Sequence, residues 1–453
     1  QKNQVLTLRV ERLSSDGSGV AHSPDGETVF IPGAAPGDEA RVRIVKDCKR
    51  YAFGILDEVL TPSPDRIPVD CAVAGPCGGC SLRHLDYAAE LRAKQENVAD
   101  AFARIGGLDV PVLPIVGSPE VNRYRNKVQF PVGVDKSGKP CIGFYAGRTH
   151  RIVPCPDCRL QPGVLNEIGN ALCAFFAEKG IQPYSEETGR GLVRHIFLRR
   201  GAHSGQIMVC LVCTRAKLPS AEELCTRLKA QFAEITTILL NVNAKNTNVI
   251  LGTETHTLYG QGYIEDTLCG VPVQLGPLSF YQVNTLAAEQ LYGIAAQYAQ
   301  LTPDDLLLDL YCGMGTIGLS MAAHCRELIG VEIVPEAIES AKANAARMGA
   351  DVAAKSRFFC ADAGQAATRL AAEGLHPDIV MLDPPRKGCD EATLSAVVRM
   401  SPRRVVYVSC NPATAARDAA WLEQNGYHAE KVQPVDLFPR TRHCECVLSL
   451  SKV

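Results

Sequence analysis

The sequence lacks any apolar run of about eighteen residues, the length that a membrane-spanning helix requires. Its first residues, QKNQVLTLRVERL, also lack the apolar segment of a secretory signal peptide. These two absences predict a cytoplasmic protein with no membrane partner. An excess of charge of one sign is absent too, because the formal net charge is only -2. That balance neither requires nor excludes a nucleic-acid partner, since a local basic surface can bind phosphate on a nearly neutral protein.

Cysteine is abundant, with 19 residues in a chain of 453. In a small secreted domain such a number would indicate disulfides, but in a long chain without a secretion signal it favours metal ligation and catalysis. The length suits two or three domains, and a composition with 46% hydrophobic and 21% charged residues is typical of a globular protein.

Short alternating runs separated by glycine-containing turns fill the region from Thr7 to Val59. This pattern predicts a small antiparallel barrel. One of its strands and the following turn carry a group of basic and aromatic residues, namely Arg41, Arg43, Lys46, Lys49, Arg50, Tyr51 and Phe53. They could form an RNA surface that combines phosphate contacts with base stacking, or simply a solvated strand face. The proline-rich segment TPSPDRIP then predicts a linker.

Three cysteines with the spacing C-x5-C-x2-C open the second region, in CAVAGPCGGC. They are Cys71, Cys77 and Cys80, and the neighbouring glycines allow the backbone to fold tightly around a bound centre. A fourth ligand is expected from Cys155 or Cys158, in VPCPDCRLQP. Four thiolates could hold an iron-sulfur cluster or tetrahedral zinc. This α/β region also contains RYRNKVQF, residues 123 to 130, which fits either an RNA contact or a strand with a charged face.

Apolar strands alternate with helical segments from about Val271 onwards. This alternation predicts a doubly wound, mostly parallel sheet, in which ligands bind beyond the carboxyl ends of the strands. The loop DLYCGMGT, starting at Asp309, differs from the G-x-G-x-x-G motif that binds a pyrophosphate. Glu332 ends the second strand and Asp362 follows the third, so acidic residues face the cofactor. They suit the cationic nucleoside S-adenosylmethionine better than a dinucleotide with a degenerate loop, which is the alternative.

The motif DPPR, starting at Asp383, ends the fourth strand. Enzymes that methylate exocyclic amines usually have an aromatic residue after this motif, whereas Arg386 follows here. Enzymes that methylate cytosine carbon 5 usually have a cysteine in this motif and another after the fifth strand. Only Cys410 occupies such a position, which indicates uracil carbon 5 as the methyl acceptor.

Uracil carbon 5 is a poor nucleophile until a thiolate adds to carbon 6 and pushes electron density onto it as an enolate. Cys410 follows the strand RRVVYVS and can supply this thiolate. After methyl transfer a base must remove the carbon 5 proton, and Glu445 in the last strand can do so. Alone, such a cysteine would be a core residue and such a glutamate a surface residue; beside the cofactor motifs they predict a catalytic pair.

Over nearly its whole length the sequence resembles the RumA-type family of 23S rRNA (uracil-5-)-methyltransferases. The resemblance is carried by GSGVA, FIPGAAPGD, CAVAGPCGGC, FYQVN, LDLYCGMGTIG, DPPRKG and SCNPATAARD. It implies an OB-like TRAM barrel over 1–60, a central α+β iron-sulfur domain over 61–265, and a class I Rossmann-like methyltransferase domain over 266–453. A helix near 86–106 is expected to pack on the last domain. The implied substrate is one or both of the uridines numbered 1939 and 747 in conventional 23S rRNA numbering, methylated by a monomer.

The resemblance also assigns residues. It implies that Cys410 is the nucleophile and Glu445 the base. The implied cofactor contacts for S-adenosylmethionine are Gln282, Tyr311, Glu332 and Asp383, with Asp362 near the adenine. The implied ligands of a [4Fe-4S] cluster are Cys71, Cys77, Cys80 and Cys158. Two features depart from the family pattern: Cys155 is an extra thiol near the fourth ligand, and Cys444 stands where an aliphatic residue is usual.

Three other functions compete with this interpretation. Methylation of the T-loop uridine of tRNA uses the same catalytic residues, although a barrel combined with a cluster favours ribosomal RNA. An RNA-binding iron-sulfur protein with an inactive methyltransferase fold would not need both Cys410 and Glu445. A methyltransferase for a small molecule would need neither the barrel nor the basic segments.

Overall fold

The computed structural model describes residues 2–453 and begins with a six-stranded sheet that folds around its own small core. In β5 the buried residues alternate with exposed charged ones, as expected for a strand with one face on a core. The strand order is β1-β5-β6-β4-β3-β2. The strands are β1 (Val5–Arg9), β2 (Arg12–Leu13), β3 (Gly19–His22), β4 (Thr28–Ile31), β5 (Glu39–Asp47) and β6 (Tyr51–Thr61).

The predicted basic surface of this barrel is partly neutralised by its own neighbours. Arg41 of β5 forms an ion pair with Glu58, and Arg43 forms one with Asp57, both across to β6. The aromatic rings of Tyr51 and Phe53 lie edge to face, with centroids 5.7 Å apart. The aromatic part of the predicted surface is therefore present, whereas two of its cations are already paired with carboxylates.

Two helices connect the barrel to the rest of the chain. The short α1 covers Ala74–Cys77, and α2 covers Tyr87–Asp100 and continues into a π-helical turn at Ala101–Ile105. α2 begins at Asp86, whose carboxylate accepts a hydrogen bond of 2.8 Å from the Ala89 amide. Val98 and Phe102 are buried in the core of the third sheet, so this helix packs on that part of the molecule.

The second sheet has seven strands in the order β13-β12-β11-β10-β7-β8-β9. One of its faces packs against α3 (Gly163–Lys179) and α4 (Ala221–Gln231). The other face packs against the hairpin β14 (Ile264–Leu268) and β15 (Val271–Leu275) and the elements after it. The strands are β7 (Lys127–Val134), β8 (Pro140–Tyr145), β9 (Ile152–Pro154), β10 (Val193–Arg200), β11 (Ile207–Cys213), β12 (Ile235–Val242) and β13 (Glu254–Tyr259).

The third sheet is doubly wound, as the alternation of strands and helices predicts. Its strands are β16 (Leu306–Leu310), β17 (Glu327–Glu332), β18 (Ser356–Cys360), β19 (Ile379–Leu382), β20 (Arg404–Ser409), β21 (Tyr427–Val435) and β22 (Glu445–Lys452). Their order is β18-β17-β16-β19-β20-β22-β21, and only β22 runs antiparallel to its neighbours. The chain order reverses between β16 and β19, which is where ligands bind in such sheets.

Helices cover both faces of the third sheet, which therefore has two apolar cores. The helices are α5 (Thr285–Ala299), α6 (Thr316–Met321) with a 3₁₀ turn at Ala322–His324, α7 (Pro335–Met348), α8 (Ala350–Lys355), α9 (Ala363–Ala372), α10 (Glu391–Met400) and α11 (Pro412–Glu423). Within residues 2–453, no helix is both long enough and apolar enough to cross a membrane.

Candidate active site and cysteine cluster

The loop between β16 and α6 is bent by three residues in the left-handed backbone region. Tyr311 has φ 63°, Gly313 φ 54° and Gly315 φ 82°. Glycine adopts this conformation at no steric cost, but a tyrosine there is strained, and strained residues are concentrated at functional sites. The Tyr311 hydroxyl lies 3.4 Å from the Thr393 hydroxyl oxygen. The loop thus turns sharply at the switch point of the sheet, with an aromatic side chain fixed at its start.

Carboxylates follow the neighbouring strands at the same edge. Glu332, at the end of β17, accepts hydrogen bonds from the Gly313 and Val334 amides, at 3.2 Å and 3.1 Å. Asp362 caps α9 through the Gln365 amide, at 3.0 Å. Asp383 directly follows β19, and burial together with the Glu332 carboxylate raises the pKa of Asp383 to about 7. This edge therefore concentrates acidic side chains, and within residues 2–453 no lysine or arginine forms an ion pair with Glu332, Asp362 or Asp383, which suits a cationic ligand.

Gln282 lies in the loop that precedes α5. Its carbonyl oxygen accepts a hydrogen bond of 2.7 Å from the Asn126 side chain, which belongs to the second-sheet region. The next capping residue, Asn284, donates to the Leu437 carbonyl at 3.1 Å. The loop is thus fixed from two sides, by the segment before β7 and by the segment that leads into β22.

Cys410 stands between the end of β20 and the start of α11. Asn411 caps this helix through the Ala413 amide at 3.1 Å, and Pro412 occupies its first turn, where a missing N–H costs nothing. The Asn411 side chain also donates to the Arg386 carbonyl at 2.9 Å. The strand-to-helix turn that presents the Cys410 thiol is therefore anchored to the DPPR segment.

Strand register brings Glu445 next to Cys410. In the antiparallel pair of β20 and β22, Ser409 lies opposite Cys446, so one further step along the ladder places Cys410 beside Glu445. Glu445 is only 7% exposed. Burial, and after it the carboxylate of Asp383, raises the pKa of Glu445 well above its usual range, while Arg386 opposes this shift.

The pKa of the Cys410 thiol is also raised. Burial raises the pKa of Cys410 to about 11, with further contributions from Glu445 and Asp383, and Arg386 again opposes the shift. From the sequence alone, Arg386 served only to distinguish among methyl acceptors. Because Arg386 directly follows Asp-Pro-Pro at the end of a strand, its position in the sequence could have indicated that its charge lies near the catalytic pair.

A cavity of about 470 Å³ opens beside Cys410. Its walls come from three parts of the chain: the barrel, the α2 region and the third-sheet region. Four arginines line it, against one carboxylate, Asp100; they are Arg12, Arg104, Arg386 and Arg442. Such a lining is suited to a polyanion. No sequence pattern indicated that Arg12 or Arg104 would line the same cavity as Cys410, because this arrangement depends on how the three parts of the chain pack together.

The predicted cluster cysteines lie in two loops that approach each other. Electrostatic interaction couples Cys77 with Cys71 and Cys158, and couples Cys80 with Cys77 and Cys158. A hydrogen bond from Cys155 lowers the pKa of Cys158 and raises the pKa of Cys155. Among residues 2–453, however, no group of three or more His, Cys, Asp or Glu side chains has the arrangement of a closed metal-binding shell. The five thiols thus share one neighbourhood without surrounding a single point.

The surroundings of these thiols fit an anionic metal-sulfur centre. Arg83 is buried, forms an ion pair with Asp70 at 2.9 Å, donates towards the Cys80 sulfur at 3.7 Å, and has an Nε without a partner among residues 2–453. A buried guanidinium beside sulfur ligands can offset the negative charge of thiolate-bound iron and donate to its sulfurs. Arg83 was not predicted from the sequence, although it lies only three residues after Cys80.

Comparison with known proteins agrees with the architecture. A crystal structure of the Pyrococcus abyssi tRNA (uracil-54, C5)-methyltransferase in complex with S-adenosyl-L-homocysteine matches with a TM-score of 0.78 and 26% sequence identity, over 99% of this chain and 100% of that one. An RNA methyltransferase of Halalkalibacterium halodurans is 43% identical over 99% of this chain and 97% of its own length. One from Oceanobacillus iheyensis is 41% identical over the same shares. The protein is an RNA methyltransferase.

Family models define it more closely. The model for tRNA (Uracil-5-)-methyltransferase matches residues 200–453, and the TRAM domain model matches residues 1–56. The chain belongs to this family of RNA uracil-5-methyltransferases, with a TRAM domain at its N-terminus. The resemblance to RNA uracil-5-methyltransferases with a TRAM domain is confirmed, and with it the mixed α/β methyltransferase fold. The iron-sulfur character of the central domain and the 23S rRNA substrate stay predictions.

Proposed function

We propose that the protein methylates carbon 5 of a uridine in 23S ribosomal RNA, with S-adenosylmethionine as methyl donor. The observation that carries this proposal is the placement of Cys410 beside Glu445, at the edge where Glu332 and Asp383 also end their strands. A thiol next to a buried carboxylate suits addition to carbon 6 followed by proton removal from carbon 5. The homologous Pyrococcus structure with S-adenosyl-L-homocysteine supports the choice of cofactor.

The proposed reaction uses the chain's residues in a fixed order. The Cys410 thiolate forms a bond to carbon 6 of the uracil, and the electron pair of the 5,6 double bond becomes an enolate. S-adenosylmethionine, when bound, supplies the methyl group that carbon 5 receives and leaves as S-adenosylhomocysteine. Glu445 then takes the proton from carbon 5, the double bond re-forms, and the Cys410 thiolate is expelled from carbon 6. Arg386, which opposes both pKa shifts, favours the ionised forms that these steps require.

The cofactor contacts proposed here are Gln282, Tyr311, Glu332 and Asp383, with Asp362 towards the adenine. The buried carboxylates give this assignment a physical reason, because S-adenosylmethionine carries two positive groups and one negative group. Binding such a cation should convert Asp383 to its ionised form.

The affinity for S-adenosylmethionine should therefore depend on pH. Asp383 has a pKa of about 7 in the free protein, so below pH 7 it must release a proton on binding. The dissociation constant is expected to rise by up to about tenfold per pH unit below 7 and to level off above it. Titration calorimetry without RNA measures this, and Asp383→Asn should bind weakly with a flat profile. An unchanged wild-type affinity between pH 5.5 and 7 would contradict the role of Asp383.

We also propose that Cys71, Cys77, Cys80 and Cys158 hold a [4Fe-4S] cluster. When bound, the cluster would supply a cross-link between the loop around α1 and the loop after β9. That second loop already ties to the segment before β7, because Arg123 donates to Asp157 and to the Cys158 carbonyl, each at 2.8 Å. The role inferred for the cluster is thus structural, holding the segment that carries Asn126 and so the Gln282 loop.

A pair of serine substitutions distinguishes the fourth ligand. Cys158→Ser should lose iron and the visible absorption of the cluster after anaerobic purification, because three thiolates leave one iron without its ligand. Cys155→Ser should retain both, and Cys225→Ser, on α4, serves as the control. If Cys155→Ser loses the iron and Cys158→Ser keeps it, Cys155 is the ligand instead.

Methylation of the T-loop uridine of tRNA is the second candidate, and the Pyrococcus homologue favours it. The two are separated by incubating the reduced protein with S-adenosylmethionine and either 23S rRNA fragments or tRNA, followed by mass spectrometry of nuclease digests. Methylation of a 23S fragment is expected. Methylation of tRNA alone would move the assignment to the T-loop, and methylation of neither would favour an inactive methyltransferase fold.

A further inference from the structure

Two positively charged side chains lie directly opposite each other on neighbouring strands of the second sheet. Lys127 of β7 is paired in register with Arg199 of β10. Like charges in directly opposite positions destabilise a sheet. A third cation, Arg125, lies near enough to act on Lys127 electrostatically. Within residues 2–453, none of these three side chains forms an ion pair with a carboxylate. We call Arg125, Lys127 and Arg199 the cation cluster.

Arg199 is the most constrained member of the cation cluster. It is only 1% exposed, and its guanidinium donates to the carbonyl oxygens of Gly276 and Ser279, while its Nε has no protein partner. Burial lowers the pKa of Arg199 to about 10. Burial and the two arginines lower the pKa of Lys127 to about 8. Keeping cations together without a counter-charge is costly, and an anion bound beside the two accessible ones, Arg125 and Lys127, would relieve that cost.

The position of the cation cluster points to the substrate. The loop that Arg199 holds runs on to Leu278, Phe280 and Gln282, and the Phe280 side chain is 76% exposed. Asn126, between two members of the cluster, binds the same loop through Gln282 and through the Val283 carbonyl at 2.8 Å. Cations beside an exposed aromatic ring are the combination by which proteins bind single-stranded nucleic acid.

We propose that the cation cluster binds a backbone phosphate of the substrate RNA. This inference rests on the proposed function and deepens it, because it places RNA against the loop that carries a proposed cofactor contact. A phosphodiester group at the accessible side of Arg125 and Lys127 would supply the missing negative charge, while the buried Arg199 would act on it only electrostatically. Asn126, which lies between Arg125 and Lys127 and donates to the Gln282 carbonyl, would then connect the bound RNA to the Gln282 loop.

The test compares two variants that neutralise one cation each, Lys127→Gln and Arg125→Gln, with Lys136→Gln. Lys136 is exposed in the turn after β7, forms no ion pair with any residue in the range 2–453, and provides the matched control. Binding of a short, mixed-sequence, fluorescein-labelled single-stranded RNA is measured by anisotropy over a range of salt concentrations. Loss of one phosphate contact should reduce the slope of log K against log salt concentration by about 0.7. Binding at low salt should weaken about three- to tenfold. Lys136→Gln should behave as wild type.

A loss of stability is not expected to explain weaker binding by Lys127→Gln. This substitution removes a repulsion between cations and should not lower the midpoint of thermal unfolding. Equal salt slopes and affinities in all three variants would overturn the inference. Unchanged RNA binding combined with weaker S-adenosylmethionine binding would also overturn it, since the anion would then be the cofactor carboxylate. RNA binding is scored without methyl transfer, so a wild-type protein that binds RNA but methylates none would contradict only the proposed function.

Discussion

Replacing Cys410 by alanine should abolish methyl transfer, with a loss of about 10⁴-fold or more, as is typical when a covalent nucleophile is removed. The physical reason is that carbon 5 of uracil becomes nucleophilic only after a thiolate has added to carbon 6. The neighbouring thiols of Cys444 and Cys446 are buried more deeply than the Cys410 thiol, which makes them poorer candidates to reach carbon 6. Radiolabelled methyl incorporation into RNA measures the effect.

The same variant allows a direct test of the covalent step. RNA in which 5-fluorouridine replaces uridine has no carbon 5 proton to lose, so the adduct should accumulate on the wild-type protein and survive a denaturing gel. Cys410→Ala should give no such band. Cys225→Ala, which removes a thiol on α4, should give the wild-type band. An adduct that persists in Cys410→Ala would identify a different nucleophile, and an active Cys410→Ala would exclude the proposed mechanism.

The same surroundings control how readily the Cys410 thiol ionises in this step. The free protein holds the Cys410 thiol mostly protonated, because its pKa is about 11. The carboxylates of Glu445 and Asp383 contribute to this raised pKa. A cationic cofactor bound beside them would offset their negative charge and so lower the pKa of Cys410. Adduct formation with 5-fluorouridine RNA should therefore be faster with S-adenosylmethionine bound than without it.

Sequence patterns located most of the third-sheet edge for a simple physical reason. Each motif follows an apolar run, and parallel strands bring their carboxyl ends to one edge. Glu332 and Asp383 could therefore be placed near each other from the pattern alone. Glu445 was chosen as the base from the chemistry of the reaction, but its proximity to Cys410 could not be derived from the pattern, because it depends on β22 entering the sheet antiparallel between β20 and β21. Nothing in the composition of HCECVLSLSKV specifies that position.

Charges were harder to interpret than apolar patterns, because the partner of a charged side chain lies elsewhere in the sequence. Arg41 and Arg43 fitted either an RNA surface or a solvated strand face, and both form ion pairs with carboxylates on the neighbouring strand. The segment RYRNKVQF looked equally ambiguous, and only the pairing of Lys127 with Arg199 distinguishes it from an ordinary charged strand.

A buried ion network explains another feature that the sequence could not reveal, the fixed approach to Glu445. Lys94 of α2 donates to Glu90 at 3.1 Å and to Asp436 at 2.8 Å, all with side chains almost inaccessible to solvent. Lys94 also donates to the Phe438 carbonyl at 3.2 Å, and the Arg440 amide donates to Glu90. The helix expected only to pack on the third-sheet region thus also fixes the segment that leads into β22 and its first residue.

Glu445→Gln should separate the two halves of the reaction. The amide cannot take the carbon 5 proton, so turnover is expected to fall by about 10²- to 10⁴-fold. The Cys410 thiol should still add to carbon 6, because the substitution removes one of the carboxylates that raise the pKa of Cys410. The methylated adduct should therefore accumulate on ordinary uridine RNA, with no fluorine needed, as a denaturation-resistant band that carries the labelled methyl group.

A matched control for this variant is Glu167→Gln, which makes the same chemical change on the exposed side of α3 and should leave both turnover and adduct at wild-type levels. The double variant Cys410→Ala with Glu445→Gln should lose the band, because the trapped species is attached to Cys410. If Glu445→Gln turns over as fast as wild type, another base removes the proton. If it loses turnover without accumulating an adduct, Glu445 is needed before the thiolate adds, and the pairing of Cys410 with Glu445 across β20 and β22 would then serve to ionise the thiol.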